Sequence, residues 1–308
     1  MNELVTVFGG GGFLGRYLVQ ELLRGGARVR VAERDPFDAT HLKPLGGLGQ
    51  AQAVVADITK PETVARAVHG TDVVINLVGI MKGRFQAVHV HGARTVAEAA
   101  TRAGARRLIH LSAIGADPNA ASAYARSKGE GEQAVHAAFL DAAIVRPSIL
   151  FGPEDQFVNR FAGMMARAPI MPVIRPDVRF QPAWVVDVAR AVCKLALSSE
   201  TMPRMLELGG PQALSMMELH RWIGGAIGRT PRLFALPDGV ASMLAGFGGL
   251  PGAPISRDQL RMLDQDNVVS PGAQGFAALG IEPAPLAAVA QTWLVRYRRE
   301  GRFSLNAA

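Results

Sequence analysis

The sequence predicts an α/β fold with a doubly wound parallel sheet and a smaller, mostly helical C-terminal lobe. Short apolar runs rich in β-branched residues alternate with segments of helical periodicity through the first half of the 308 residues. A glycine-rich stretch joins the first such run to the first helical segment. After about residue 150 proline and glycine become frequent. We therefore expect domains at 1–150 and 151–308, with about residues 180–200 packing back on the first domain.

The periodicity of the hydrophobic residues, together with the glycines and prolines that interrupt it, predicts each element of the first domain in turn. The predicted strands cover residues 4–8, 28–32, 53–56, 73–77, 107–111 and 143–145. The predicted helices cover residues 13–24, 61–69, 85–103 and 122–139. Repeated strand–helix units of this length predict a parallel sheet with right-handed crossovers.

Composition and charge restrict the classes of partner. Hydrophobic residues make up 49% and charged residues 19%, which is typical of a globular protein. A net charge of +7 favours an anionic partner such as nucleotide phosphates, acidic lipid, an acidic protein surface or nucleic acid. The sequence contains no nucleic-acid-binding motif, so we expect no nucleic-acid partner. The basic run at 296–299 is interpreted as a solvated helix end, with peripheral contact to a membrane or a partner as the alternative.

Cysteine usage and hydropathy bear on location. The single cysteine, Cys193, excludes an internal disulfide and fits a reducing compartment. The sequence shows no secretory signal and no apolar run of about 18 residues, so no transmembrane helix is expected. We expect a cytoplasmic protein, or one peripheral on the cytoplasmic face of the inner membrane. The role of the apolar stretch at 234–254 stays open.

The glycine-rich stretch predicts a dinucleotide site, because it follows a strand and opens a helix. Glycines there permit a tight turn, and the first helical amides then face the pyrophosphate. Four consecutive glycines allow two registers, Gly10-x-Gly12-x-x-Gly15 and Gly9-x-x-Gly12-x-x-Gly15, of which the second is the short-chain dehydrogenase pattern. The candidate cofactor-binding residues in this loop are Gly9, Gly12, Phe13, Leu14 and Gly15.

The residues that end the later strands are further candidates. Glu33 suits the ribose hydroxyls of NAD, whereas the adjacent Arg34 suits the 2′-phosphate of NADP. This pair therefore does not decide between the two cofactors. Asp57, followed by Ile58, is interpreted either as an acceptor for the adenine amino group or as the residue that forms an Asx turn. The remaining candidate cofactor contacts at strand ends are Leu77 and Pro147.

Tyr124 and Lys128 lie four residues apart and therefore share one face of a predicted helix. A nearby ammonium favours the phenolate, so a tyrosine in this arrangement suits acid–base chemistry. Lys128 can also hold the nicotinamide ribose. His89 and His91 are two residues apart without acidic or cysteine neighbours, so no metal site is predicted.

With these motifs in place, the chain resembles an atypical short-chain dehydrogenase/reductase of the NAD(P)-dependent epimerase/dehydratase superfamily. More narrowly, it is similar to the nucleotide-binding accessory subunit of respiratory complex I, NADH:ubiquinone oxidoreductase, and its bacterial relatives. The stretches that carry this resemblance are residues 7–17, 41–50, 73–79, 151–161, 181–188, 256–258 and 279–281. The segments at 41–44 and 151–155 are specific to this branch.

The resemblance implies a tightly bound NADP(H) that largely does not turn over, with an arginine at the end of the second strand. Arg34 stands at that position, so NADP(H) is expected rather than NAD(H), against Glu33. The resemblance also implies subunits of complex I as partners. Other relatives are linked to ubiquinone biosynthesis, or reduce or epimerise small molecules.

One position departs from the pattern of the hydride-transferring families. Their acting serine corresponds to Ala113, whereas Ser112 is one residue off and points to the other side of the strand. Ser112 is kept as a catalytic candidate with Tyr124 and Lys128, and Ser122 is the alternative. Two hypotheses follow. The first is a complex I accessory-subunit-like protein that holds NADP(H) mainly structurally. The second is an active oxidoreductase or epimerase with a small or lipid-like substrate.

Overall fold

The computed structural model describes residues 3–201, 203–247, 255–299 and 301. The chain forms two compact units. Unit 1 comprises the chain up to Pro147 together with Val185–Leu208 and Ser270–Glu282. Unit 2 comprises Ser148–Trp184, Gly209–Val269 and the chain from Pro283 onward. Part of the apolar stretch at 234–254 lies outside the described residues.

The secondary structure alternates most regularly in unit 1. The strands are β1 (Leu4–Phe8), β2 (Arg28–Glu33), β3 (Ala51–Val55), β4 (Val73–Asn76), β5 (Arg107–Leu111), β6 (Ala143–Pro147), β7 (Leu150–Phe151), β8 (Ile170–Val173), β9 (Arg179–Phe180), β10 (Ala183–Trp184), β11 (Met205–Leu208), β12 (Leu214–Ser215) and β13 (Arg232–Ala235). The α-helices are α1 (Phe13–Arg24), α2 (Pro61–Val68), α3 (Ala93–Arg102), α4 (Ala123–Ala138), α5 (Val158–Arg167), α6 (Val185–Leu197), α7 (Met216–Ala226), α8 (Asp238–Gly246), α9 (Arg257–Met262), α10 (Leu286–Val289) and α11 (Gln291–Leu294). Helices of other types are the 3-10 segments Pro36–Leu45, Phe276–Leu279 and Val295–Tyr297, and the π-helix Gln86–Gly92.

The main sheet of unit 1 is parallel, with the spatial order β11-β6-β5-β4-β1-β2-β3 among the described strands. The chain therefore winds in one direction from β1 to β3 and in the other from β4 to β6. In open sheets of this kind, ligands bind beyond the carboxyl ends of the strands where the winding reverses. The predicted α/β class with a doubly wound parallel sheet is confirmed, and the reversal lies between β1 and β4.

One predicted helix differs from the structure. The segment expected as a single helix at 85–103 contains the π-helix Gln86–Gly92, and α3 begins only at Ala93. The neighbouring elements approach closely here, since a Cβ added at Gly131 on α4 would lie 2.2 Å from the carbonyl oxygen of His89. Single π turns are frequent at functional sites, and this one carries His89.

Each unit has its own core. In unit 1, small and branched residues of α2, α3 and α4 pack together with residues of β4, β5 and β6. In unit 2, Phe151 stacks on Trp293 with ring centroids 6.4 Å apart, and Trp184 and Trp222 pack against this core. Within the described residues, no helix is long and apolar enough to cross a membrane.

Candidate functional site

The glycine loop connects β1 to α1 at the carboxyl edge of the sheet. Gly9 has a φ of +80°, a left-handed conformation that favours glycine. A Cβ added at Gly15 would lie 2.4 Å from the carbonyl oxygen of Gly9. With a larger residue at position 15, α1 could therefore not pack this closely against the loop. Phe13 and Leu14 form the first turn of α1, whose amides have no partner within the helix. With these amides and the positive end of the helix dipole, the loop fits a pyrophosphate.

The acidic residue at the end of β2 contacts this loop directly. Glu33 accepts a hydrogen bond from the backbone N–H of Gly11, with Oε1 and N 2.6 Å apart. Burial raises the pKa of Glu33, and this hydrogen bond opposes the rise only in part. Arg34, the next residue, is exposed, and its charge acts on both Glu33 and Asp57. The edge beyond β2 therefore offers one carboxylate bound to the loop and one cation open to solvent.

Asp57 forms an Asx turn after β3. Its Oδ1 accepts from the backbone N–H of Thr59 at 2.9 Å and from the Thr59 hydroxyl at 2.7 Å. Partial burial opposes ionisation, but these hydrogen bonds and the nearby Lys60 and Arg34 lower the pKa of Asp57. The side chain of Ile58 is buried in the core of unit 1. Of the two interpretations of Asp57, the turn is formed here, and contact with adenine remains a prediction.

The two strand ends predicted to meet the cofactor lie at different points of the edge. Leu77 donates its N–H to the carbonyl oxygen of Phe8 at 2.9 Å, which places the backbone after β4 beside the glycine loop. A Cβ added at Gly9 would lie 3.4 Å from the carbonyl carbon of Leu77. Pro147 ends β6, which β5 and β4 separate from β1, and its carbonyl accepts from the N–H of Ile114 at 3.1 Å.

Tyr124 and Lys128 both lie on α4, one turn apart. Lys128 is buried, and its Nζ donates to the carbonyl oxygen of Leu111 at 2.9 Å. Burial lowers the pKa of Lys128 to about 8, although Glu132 acts in the opposite direction. Burial raises the pKa of Tyr124 to about 12. The expectation of a phenolate favoured by Lys128 thus differs from the structure, because desolvation of Tyr124 favours the neutral phenol. At neutral pH the pair is a phenol and an ammonium.

The two serine candidates lie in environments that differ from the one a serine needs in order to orient a reacting carbonyl. Ser112 is 4% exposed, and among the described residues its hydroxyl has no hydrogen-bond partner. Ser122 is the N-cap of α4, and its Oγ accepts from the N–H of Ala125 at 3.3 Å. Ala113, the residue that the sequence resemblance matches to an acting serine, has no hydroxyl. The assignment of Ser112 as the third member of the site stays a prediction.

One residue of this region was assigned to no site from the sequence. His89 lies in the π-helix with its ring centroid 5.5 Å from that of Tyr124, in an edge-to-face arrangement. Phe85 stacks on the imidazole with centroids 5.4 Å apart and lies 6.0 Å from the ring of Tyr124, so the three rings form one cluster. In the sequence, the contact between Phe85 and His89 is indicated only by their spacing of four residues in a helical segment. The contact with Tyr124 depends on the packing of two separate helices.

Comparisons with known proteins identify the class. A family model described as NAD(P)H-binding matches residues 9–161. The chain is 32% identical over 313 residues to the mitochondrial NADH-ubiquinone oxidoreductase 40 kDa subunit of Neurospora crassa, covering all of this chain and 83% of that protein. It is 34% identical over 242 residues to the ceramide reductase of Caulobacter vibrioides, covering 76% of this chain and 74% of that one.

A solved structure shows the same fold. The NADPH-dependent quinone oxidoreductase of Escherichia coli, complexed with NADPH, matches with a TM-score of 0.78 at 18% identity, covering 94% of this chain and 99% of that chain. The fold, the glycine loop and the family model together define a protein with an NAD(P)H-binding domain. The chain belongs to the family of the NADH-ubiquinone oxidoreductase 40 kDa subunit. The resemblance predicted from the sequence is confirmed.

Proposed function

We propose that this chain is a complex I accessory-subunit-like protein that holds NADP(H) mainly as a structural ligand. The observation that carries the proposal is the contrast within the site. The loop for the pyrophosphate is complete, whereas Ala113 stands where a reducing enzyme of this type has its serine. A dinucleotide bound there would be retained without efficient turnover.

The choice of NADP(H) rests on the end of β2. Glu33 is bound to the N–H of Gly11, whereas Arg34 is exposed beside it. A guanidinium offers several donors in a planar fork that matches a phosphate. The likeness to the 40 kDa subunit, over 83% of that protein's length, supports an association with respiratory complex I subunits. In this proposal the chain binds at the cytoplasmic face of the inner membrane through that complex.

The proposal is tested by native purification from detergent extracts, with identification of the released nucleotide and of the co-purifying proteins. We expect NADP(H) in an equimolar amount, together with complex I subunits. Recovery of the chain alone, or with NAD(H), contradicts the corresponding part of the proposal.

A matched pair of variants tests the choice of nucleotide separately. Arg34→Ala should weaken NADPH binding about tenfold or more, because a charge-assisted hydrogen bond contributes about 1.5–3 kcal/mol. The affinity for NADH should stay unchanged. Arg28→Ala, at the exposed start of the same strand, is the control and should change neither affinity. Equal losses for NADPH and NADH in Arg34→Ala would show that this residue does not select the phosphate.

A second candidate function is an active reductase, which the Tyr124/Lys128 pair and the likeness to ceramide reductase favour. When bound, the dinucleotide would supply hydride from its nicotinamide. Tyr124, as a phenol, would donate the proton to the substrate oxygen, and the ammonium of Lys128 would hold the ribose. A quinone precursor or a lipid-like carbonyl compound is the class of substrate proposed. If Tyr124→Phe leaves both cofactor affinity and cellular function unchanged, this second candidate is rejected.

A further inference from the structure

His89 takes part in a hydrogen-bond chain with a fixed direction. Its Nε2 lies 2.9 Å from the backbone N of Ile80 and its Nδ1 lies 2.9 Å from the Oγ of Ser127. The hydroxyl of Ser127 in turn donates to the carbonyl oxygen of Tyr124 at 2.8 Å. Because a backbone N–H only donates and a carbonyl only accepts, Nε2 is the acceptor and Nδ1 carries the proton. The imidazole therefore connects the backbone after β4 to the first turns of α4.

The packing around His89 keeps the ring in this neutral form. The residue is 1% exposed and packs against the rings of both Phe85 and Tyr124. Burial, together with the charge of Lys128, lowers the pKa of His89 to about 3. The charge of Lys128 acts in the same direction as burial, and the hydrogen bond with the Ile80 amide does not reverse the shift. His89 keeps one tautomer throughout the physiological range.

The backbone that His89 holds lies next to the functional pair. A Cβ added at Gly79 would lie 3.4 Å from the Nζ of Lys128 and 3.8 Å from the Nε2 of His89. A shift of this backbone would therefore change the surroundings of Lys128, whereas the glycine loop is built from other segments.

We propose that His89 is a positioning residue, which fixes the Gly79–Ile80 backbone and the turn of α4 carrying Tyr124 for the nicotinamide half of a bound dinucleotide. This inference rests on the proposed binding of NADP(H). Pre-ordered backbone binds more tightly because less conformational entropy is lost on association. The adenosine half, which meets β2 and the glycine loop, does not depend on His89.

The experiment compares His89→Phe, which keeps an aromatic ring in contact with Phe85 and Tyr124 but removes both hydrogen bonds, with His89→Ala. His91→Phe is the matched control, since His91 is exposed in the same π-helix. Affinities are measured for NADPH and for adenosine 2′,5′-bisphosphate, the half of NADP that lacks nicotinamide. Urea unfolding establishes that each variant is folded under the binding conditions.

We expect His89→Phe to weaken NADPH binding about tenfold, the effect of losing one buried hydrogen bond to a backbone amide. The affinity for adenosine bisphosphate should stay unchanged, and His91→Phe should behave as the wild type. Equal losses for both ligands overturn the inference, and so does a His89→Phe variant that binds NADPH like the wild type while His89→Ala does not. Failure of the wild type to bind adenosine bisphosphate instead contradicts the proposed function.

Discussion

The two halves of the candidate cofactor site are built differently. The pyrophosphate half consists mainly of backbone, and its shape depends on glycines such as Gly9 and Gly15. The nicotinamide half consists of side chains from α4 and the π-helix, above all Tyr124, Lys128 and His89. A substitution at one of these glycines disrupts the backbone packing of the loop and with it the binding site. A site made of side chains can lose a single hydroxyl without any change of fold. Under the proposed function, this difference would let the chain keep a bound dinucleotide without turnover.

The two halves also differ in how far their titratable groups are buried. Arg34 is exposed at the adenosine side, whereas Lys128 of α4 is buried, as is His110 on β5, the strand to which Lys128 donates its hydrogen bond. Burial, followed by the charge of Lys128, lowers the pKa of His110 well below its ordinary value. Burying titratable groups without full compensation destabilises the folded state, and such groups cluster at functional sites. The surroundings of Lys128 therefore contain buried groups that destabilise the folded state.

The largest effect is expected from Gly15→Ala in the pyrophosphate half. The new Cβ would lie within 2.5 Å of backbone atoms of Gly9 and Gly10, so α1 must move away from the loop. We expect a loss of stability of about 3 kcal/mol and a loss of NADPH binding. Urea unfolding and calorimetric titration measure the two quantities. Gly47→Ala is the control, because its Cβ would meet only the Gln50 side chain at 3.7 Å.

The next largest effect is expected from Lys128→Met in the nicotinamide half. The folded-state pKa of Lys128 is about 8 against 10.5 for a free lysine, so the folded state binds fewer protons between these values. Stability of the wild type therefore rises with pH across this window, and the cost is fully present below it. The shift corresponds to at most about 3 kcal/mol. Removing the ammonium should stabilise the fold at about pH 7 and weaken NADPH binding.

The pH dependence supplies the control for this prediction. The stability difference between Lys128→Met and the wild type should shrink as pH rises from about 8 and vanish above about 10.5. Lys82→Met, at an exposed position, should show no such trend. A Lys128→Met variant that is less stable than the wild type at every pH would mean that the hydrogen bond to Leu111 outweighs the burial of the charge.

The sequence predicted the pyrophosphate half better than the nicotinamide half, for a physical reason. A strand, a glycine turn and a helix start are local signals, and they located the loop at Gly9–Gly15. The bond from the N–H of Gly11 to Glu33 joins residues 22 apart, and the contact of His89 with Ser127 joins residues 38 apart. Such contacts arise only when separate elements pack. No local pattern could predict them.

The same reason applies to the sheet itself. Strands β1 to β6 were predicted, β1 and β5 with the same ends and the other four with ends that differ by at most two residues. Strand β11, which pairs with β6, was not predicted, because its four residues follow a region where the alternation weakens. Nor does any periodic pattern indicate that Ser270–Glu282 belongs to unit 1. Long-range hydrogen bonds link it to the rest of unit 1: the Glu207 carboxylate accepts from the N–H of Ser270 at 2.7 Å, and Lys194 Nζ donates to the carbonyl oxygen of Leu279 at 2.8 Å.

A smaller effect should separate the two serines of the nicotinamide half. Ser122→Ala removes the N-cap of α4 and should destabilise the fold by about 1 kcal/mol. Ser112→Ala removes a buried hydroxyl for which the described residues offer no hydrogen bond, so its stability should be equal or higher. Unfolding curves and NADPH titrations of both variants test this. A large loss of cofactor binding in Ser112→Ala alone would show that Ser112 belongs to the cofactor site.

The smallest effect on stability, and the sharpest test of the comparison, is expected from Ala113→Ser. Ala113 is partly exposed, so one added oxygen should change stability by no more than about 0.5 kcal/mol and leave NADPH affinity unaltered. If the absent hydroxyl is what prevents turnover, NADPH oxidation with quinones or lipid-like ketones should rise at least about tenfold, since a single donor to a developing oxyanion contributes about 100-fold or more in other enzymes. The gain must disappear in the double variant Ala113→Ser/Tyr124→Phe, because the phenol is the proton donor of that reaction. An Ala113→Ser variant that binds NADPH but remains inactive would show that the nicotinamide half lacks more than one hydroxyl, and that the difference between the halves extends beyond position 113.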